Sequence, residues 1–128
     1  MVNIVVMGHG AYARGTKENL EMVSGLPNNM YFIDLIKEDS LDILEEKVKK
    51  LLDEFGDNQV LFACDIMGAS PFRIAAMITA ENQERYCTVA GLNAMAYMEL
   101  AMANDGDVHA LAEKAINTTK ESVIKFWL

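Results

Sequence analysis

A histidine and an aspartate in this chain have the residue types and the spacing for group-transfer chemistry. His9 lies between Gly8 and Gly10 after an apolar run, and Asp65 follows a second apolar run. A carboxylate beside an imidazole accepts one ring N–H, fixes the tautomer and leaves the other ring nitrogen as a nucleophile. His9 is therefore the candidate nucleophile, and Asp65 is the candidate residue that orients it.

The segment that follows the aspartate is suited to hold an anion. It leads into Ser70 and Pro71, and proline is favoured at the first position of a helix. A helix start offers unpaired N–H groups and the positive end of the helix dipole, and nearby glycines allow close approach of the backbone. The predicted chemistry is phosphoryl transfer through a phosphohistidine. The candidate phosphate-binding residues are Gly10, Gly68, Ala69 and Ser70.

The elements that must position these residues alternate between strands and helices. Apolar runs predict strands over residues 2–7, 30–35, 60–64 and 86–90, and a short last strand over 122–128. Helical patterns cover 12–24, the segment capped by Ser40, the segment opened by Pro71, 93 to about 104, and 108–119. Strands that are apolar on both faces and alternate with helices indicate a parallel sheet covered on both sides.

The predicted fold is α/β, a doubly wound, mainly parallel sheet of flavodoxin-like order 2-1-3-4. Ligands of such sheets bind beyond the carboxyl ends of the strands, where the strand order reverses. His9 and Asp65 follow strands 1 and 3, which are neighbours about 4.8 Å apart in this order. We therefore expect the two side chains to meet.

Composition narrows the class of partner. The chain has 128 residues and a net charge of −8, which disfavours nucleic acid and an anionic membrane surface and favours a partner with a basic face. The first residues resemble a strand rather than a signal peptide, and no run is long enough for a membrane span. Cys64 and Cys87 lie in apolar segments, so we expect reduced thiols, a cytoplasmic location, and neither a metal nor a cofactor.

An alternative from another class is a dinucleotide- or flavin-binding module. Residues 8–13 fit the pattern G-x-G-x-x-A between a strand and a helix, and Asp34 ends the second strand, where a ribose-binding acid would lie. Against it, the chain is short for two mononucleotide-binding halves, and Asp65 and Ser70 would have no role.

Arg14 and Arg73 could contact a phosphate or form surface ion pairs, and His109 is expected to be a surface residue.

Three segments resemble one known family. Residues 9–15, His-Gly-Ala-Tyr-Ala-Arg-Gly, resemble the HGxxAxG signature of IIA domains of the mannose-family sugar phosphotransferase system (PTS). Residues 65–72, Asp-Ile-Met-Gly-Ala-Ser-Pro-Phe, resemble the DxxGGSPF loop of these domains, and residues 91–99 resemble their GxNxPMLxE segment. The motifs come in the family's order, and the resemblance covers essentially the whole chain.

The resemblance implies roles for individual residues. It implies one EIIA domain of mannose type over residues 1–128, with His9 phosphorylated and Asp65 hydrogen-bonded to it. Gly68 and Ser70 match the loop that holds the phosphoryl group, and Asn93 matches the asparagine of the third motif, near the same crevice. Some positions depart from the family pattern, and one of them is Ala96, which replaces a methionine of the third motif. Ala69 replaces a glycine, so its backbone must avoid angles that only glycine adopts, and Met95 replaces a proline.

The resemblance also implies partners. The donor would be phosphorylated HPr, the acceptor a histidine of a IIB domain, and the membrane components IIC and IID would take part indirectly. The family forms homodimers in which the last strand is swapped, and the apolar tail of this chain suits that role. A phosphocarrier subunit of dihydroxyacetone kinase and a purely regulatory domain are alternatives within phosphoryl chemistry.

Overall fold

Strands alternate with helices along the chain. The computed structural model describes residues 2–102 and 105–127. The strands are β1 (Val2–His9), β2 (Met30–Leu35), β3 (Gln59–Cys64) and β4 (Tyr86–Ala90). The helices are α1 (Tyr12–Val23), α2 (Leu41–Phe55), α3 (Ser70–Glu81), α4 (Ala94–Met102) and α5 (Val108–Ser122). β1 is two residues longer than predicted, so His9 ends the strand instead of following it.

The strands form one parallel sheet of order β2-β1-β3-β4. The predicted fold class and strand order are confirmed. β1 lies in the middle and pairs with β2 up to His9 opposite Leu35, and with β3 up to Met7 opposite Cys64. The carboxyl ends of β1 and β3 are therefore neighbours, which places the residues that follow them at one edge of the sheet.

The two faces of the sheet bury alternate residues of the same strands. Val2, Ile4 and Val6 of β1 pack with α1, α4 and α5, whereas Val5 and Met7 pack with α2 and α3. This alternation follows from the two-residue period of a strand, and it explains why β1 is apolar at nearly every position. Burial on both faces fixes the register, since a slip of one residue would exchange the two faces.

Local sequence signals set where the helices begin. Ser40 caps α2, with its hydroxyl accepting the Ile43 N–H at 3.3 Å. Pro71 lies in the first turn of α3, and Asp107 caps α5 by accepting the N–H groups of its first turn. Within residues 2–102 and 105–127, no helix has both the length and the apolarity to cross a membrane.

The carboxyl-terminal tail differs from its prediction. α5 continues to Ser122, and residues 123–127 have no regular secondary structure in this single chain, whereas Leu128 lies outside the described residues. A strand needs a neighbouring strand to pair its backbone, and this chain alone gives the tail none. Val123, Ile124, Phe126 and Trp127 are each more than 70% exposed. The swapped dimer implied by the resemblance is not tested by a single chain and stays a prediction.

Candidate active site

His9 and Asp65 meet at the carboxyl edge of the sheet. His9 Nδ1 lies 2.7 Å from Asp65 Oδ2, and the same oxygen accepts the His9 backbone N–H at 2.9 Å. The other oxygen, Oδ1, accepts the N–H of Ile66 at 2.9 Å. Three hydrogen bonds thus fix the carboxylate, two of them to the histidine that it orients. The contact predicted from the ends of strands 1 and 3 is present.

The electrostatics of the pair determine which ring nitrogen is free. Burial alone would raise the pKa of Asp65, but the hydrogen bonds and charge of His9 and the Ile66 N–H together lower it below its ordinary value. An ionised carboxylate can only accept, so the proton between the two side chains belongs to His9 Nδ1. Nε2 is then the unprotonated nitrogen of the neutral ring, and the side chain is 45% exposed.

Gly8 is a glycine because two side chains pack against it. A Cβ built on Gly8 would lie 2.6 Å from Cδ2 of Tyr12 and 2.8 Å from Cγ of Asp65, closer than real Cβ atoms approach. On the other side of the histidine, Gly10 has a φ of +56°, in the left-handed region, and donates its N–H to the carbonyl of Leu35 at 2.8 Å. The glycines therefore allow a tight turn that holds His9 over the sheet edge.

The loop from β3 into α3 has the features predicted for an anion-binding helix start. Gly68 has a φ of +80°, and Ala69 is the N-cap of α3 with extended backbone angles of −79° and 175°. An alanine adopts these angles without strain, although the family has a glycine here. This agrees with the sequence analysis, which required Ala69 to avoid angles that only glycine adopts. The side chain of Arg73 donates from Nε to the carbonyl of Gly68 at 3.0 Å and braces the turn. Ser70 begins the helix, where the N–H groups of the first turn have no partners within the helix.

Asn93 has a structural role in the free protein. Its Oδ1 accepts the Ala96 N–H at 3.2 Å in the first turn of α4. Its Nδ2 donates to Ser122 Oγ at 2.8 Å, and its backbone N–H donates to Thr119 Oγ1 at 3.3 Å. Asn93 therefore joins the start of α4 to the end of α5. The phosphate contact that the resemblance implies for it stays a prediction.

The remaining candidates take part in contacts within the protein. Arg14 donates its backbone N–H to Asp34 Oδ1 at 3.1 Å, and its Nε lies 3.8 Å from Oδ2. The acid that the dinucleotide alternative requires is thus engaged by α1, although it also borders a cavity of about 530 Å³ between β2 and α2. His109 Nε2 lies 2.6 Å from the carbonyl of Gln83. Among residues 2–102 and 105–127, no group of three His, Cys, Asp or Glu side chains is arranged to hold a metal ion.

Two tyrosines near the site were not identified as candidates from the sequence. Tyr12 begins α1 and Tyr97 lies buried in α4, and their hydroxyl groups are hydrogen-bonded to each other. They are 85 residues apart in sequence, and neither stands in a pattern that distinguishes it from a core aromatic residue.

Comparison with known proteins decides the family. The model of the family described as PTS system fructose IIA component, EIIA-man, matches residues 3–120. The chain belongs to this family. It is therefore an EIIA component of a sugar phosphotransferase system, and the phosphoryl-carrier function and mannose-family membership predicted from the sequence are confirmed.

Individual relatives agree with this membership. The chain is 29% identical over 121 residues to the fructose-specific EIIA component of Bacillus subtilis, covering 94% of this chain and 80% of the relative. It is 32% identical over 125 residues to the mannose-specific EIIAB component of Escherichia coli K12, covering 95% of this chain but only 38% of that protein. The mannose/sorbose-specific IIA subunit of Enterococcus faecalis has the same fold, with a TM-score of 0.90, 25% identity and coverage of 98% and 95% of the two chains.

Proposed function

We propose that His9 Nε2 accepts a phosphoryl group from phosphorylated HPr and passes it to a histidine of a IIB domain. The observation that supports this proposal best is the hydrogen bond of His9 Nδ1 to Asp65 Oδ2, at 2.7 Å. Because Asp65 holds one ring nitrogen as a donor, the other nitrogen presents its lone pair on a half-exposed side chain. HPr and IIB domains are the partners of EIIA components in general, and the net charge of −8 favours partners with basic faces.

In the proposed reaction, the lone pair of Nε2 attacks the phosphorus of the donor's phosphohistidine. The donor's N–P bond breaks and its electron pair returns to the donor nitrogen, while a new N–P bond forms on His9. The His9 ring keeps its Nδ1 proton and gains positive charge in the transition state. The Asp65 carboxylate, already oriented by the Ile66 N–H, stabilises that charge. Transfer to the acceptor reverses these steps with a different histidine.

The phosphoryl oxygens need donors during this exchange. The start of α3 is the nearest candidate along the chain from Asp65, because Gly68, Ala69 and the Ser70 hydroxyl lie within five residues of it. A phosphoryl group there would also meet the positive end of the α3 dipole. The brace from Arg73 to the Gly68 carbonyl keeps this turn in shape before the phosphoryl group arrives.

The test is phosphorylation with labelled phosphoenolpyruvate, enzyme I and HPr. We expect acid-labile label on the wild-type chain and none on His9→Ala. His109→Ala is a matched control, since His109 is the second of the two histidines and lies at the start of α5. Equal label on wild type and His9→Ala would refute the proposal, and so would loss of label in His109→Ala alone.

The protein that accepts the phosphoryl group from His9 distinguishes this proposal from the two alternatives within phosphoryl chemistry. Discharge of the phosphorylated chain to a purified IIB domain is expected. Transfer to a dihydroxyacetone kinase subunit instead would assign the chain to that pathway, and failure to discharge to any IIB domain would indicate a regulatory role. We also propose that residues 1–128 act as one EIIA domain and that the chain works in the cytoplasm.

We propose that the tail, residues 123–127, completes a homodimer by pairing with an edge strand of the partner's sheet. The support is the exposure of its four apolar side chains, which are costly to leave in water, and the presence of an open edge at β4.

A further inference from the structure

Tyr12 and Tyr97 join the start of α1 to α4 directly beside the His9–Asp65 pair. Tyr12 is the first residue of α1, three residues after His9, and is half-buried, whereas Tyr97 is 3% exposed. Their rings meet edge to face, with centroids 6.4 Å apart and planes at 64°, and their hydroxyl groups form a hydrogen bond. The contact therefore combines aromatic packing with a polar link between two helices on the same face of the sheet.

The Tyr12 ring also lies against the site itself. Its Cδ2 and the Asp65 carboxyl carbon approach the same side of Gly8, at 2.6 and 2.8 Å from the position that a Cβ would take. The ring is thus packed on the backbone next to His9 and next to the carboxylate that holds the imidazole. The negative charge of Asp65 acts on the Tyr12 hydroxyl as well, since it contributes, after burial, to the raised pKa of that tyrosine.

We propose that Tyr12 and Tyr97 are positioning residues for His9, with the hydroxyl pair holding the Tyr12 ring against Gly8 and Asp65. The ring excludes water from one side of the carboxylate, and a hydrogen bond strengthens where water is excluded. This inference rests on the proposed function of His9. It extends that function by assigning the orientation of the imidazole to a contact between α1 and α4 as well as to Asp65.

The hydrogen bond between the two tyrosines requires at least one of the hydroxyl groups to keep its proton. Burial raises the pKa of Tyr12 and of Tyr97 above the ordinary tyrosine value, so both are neutral phenols at physiological pH. One hydroxyl donates and the other accepts, and replacing either with phenylalanine removes the hydrogen bond but keeps the ring. The pair is therefore open to a test that separates positioning from packing.

The test compares Tyr12→Phe, Tyr97→Phe and the double variant with Tyr31→Phe. Tyr31 is a matched control, because its partly buried ring packs on Phe55, with centroids 4.8 Å apart, on the opposite face of the sheet. The first readout is the tautomer of His9 in the unphosphorylated protein, measured by nitrogen-15 NMR of the imidazole. The second is kcat and KM for phosphorylation by phosphorylated HPr.

Wild type and Tyr31→Phe are expected to show the Nδ1–H tautomer. Tyr12→Phe and Tyr97→Phe are expected to show a mixture of tautomers and a kcat about three- to tenfold lower with an unchanged KM, as for the loss of one hydrogen bond. The double variant should be no worse than either single variant, since both remove the same link. If Tyr97→Phe does not fold, the half-buried Tyr12→Phe decides the outcome.

A wild-type tautomer and kcat in folded Tyr12→Phe and Tyr97→Phe would overturn the proposal, even if their melting temperatures fall. That result would show that the pair stabilises the fold and does not position the histidine. The tautomer is measured without any phosphoryl donor. Failure of wild-type His9 to take label would therefore refute the proposed function while leaving this measurement valid.

Discussion

Replacing Asp65 with asparagine tests how much the carboxylate contributes to transfer through His9. Asp65 accepts three hydrogen bonds, from the His9 backbone, the His9 ring and the Ile66 N–H. Asparagine has one acceptor oxygen and one NH₂ donor in the same shape. If its oxygen faces His9, its NH₂ group opposes the Ile66 N–H, and in the opposite orientation the NH₂ group opposes the two His9 donors. No rotamer of the amide satisfies all three donors.

The expected loss of rate in Asp65→Asn follows from the hydrogen bond between the charged carboxylate and the His9 ring. A hydrogen bond to a charged group contributes about 1.5–3 kcal/mol, which corresponds to roughly 10- to 150-fold in rate when it acts in the transition state. The Nδ1 contact of 2.7 Å lies in the range of such charge-assisted bonds. We therefore expect kcat for phosphorylation of Asp65→Asn to fall by that factor with little change in KM, because Asp65 is only 10% exposed and offers little surface to a partner.

The assay is rapid-quench transfer of label from phosphorylated HPr at saturating donor. Asp53→Asn is the matched control, because Asp53 is exposed near the end of α2, just before the amino end of β3 and so away from the site. An Asp65→Asn protein that folds and accepts label at the wild-type rate would refute the role assigned to the carboxylate. A comparable fall in Asp53→Asn would show that the effect is one of net charge.

Three further outcomes are expected. The free energy of unfolding should be lower in Asp65→Asn than in wild type at neutral pH. Because the folded pKa of Asp65 lies below the ordinary value of 3.8, this difference should persist above that pH and shrink only as the pH falls through the folded pKa. The free energy of unfolding is measured in urea, and a difference between wild type and Asp65→Asn that stays constant down to pH 2 would contradict this expectation. Gly8→Ala should destabilise the protein by about 1–3 kcal/mol and slow labelling, because its Cβ would collide with Tyr12 and Asp65. Gly15→Ala, in α1 with open space around it, should be neutral or stabilising in the same urea series, and equal effects would contradict the steric explanation. Deleting residues 123–128 should convert a dimer into a monomer in sedimentation velocity, and an unchanged sedimentation coefficient would contradict the role proposed for the tail.

Local patterns in the sequence were sufficient for the framework of the fold. Residues 60–64, which are apolar at every position, indicated a strand buried on both faces, and the alternation with helices indicated a parallel sheet. The carboxyl ends of parallel strands meet at one edge, so the strand order alone brought His9 and Asp65 together. Ser40 and Pro71 marked helix starts, because capping depends only on residues within one turn.

Contacts between distant elements could be found only in the tertiary structure. Asn93 is hydrogen-bonded to Ser122, 29 residues away in sequence. Tyr12 is hydrogen-bonded to Tyr97, 85 residues away. Such pairs depend on how two helices cross on the sheet, and helix periodicity specifies which face is buried but not which side chain it meets. The same holds for Gly8, whose missing side chain makes room for the Tyr12 ring of α1 and for the carboxyl group of Asp65, which follows β3.

The tail is a segment for which the sequence predicted more regular structure than the single chain has. Its apolar residues predicted a strand, but the chain by itself gives residues 123–127 no neighbouring strand, and they remain irregular and exposed. The sequence therefore determined the order of elements and the residues that reach the site, because those depend on local periodicity and on the ends of the strands. The tertiary structure alone decided which ring nitrogen of His9 meets Asp65 and that Tyr12 and Tyr97 pack beside the pair, because these features depend on distances between side chains brought together by packing.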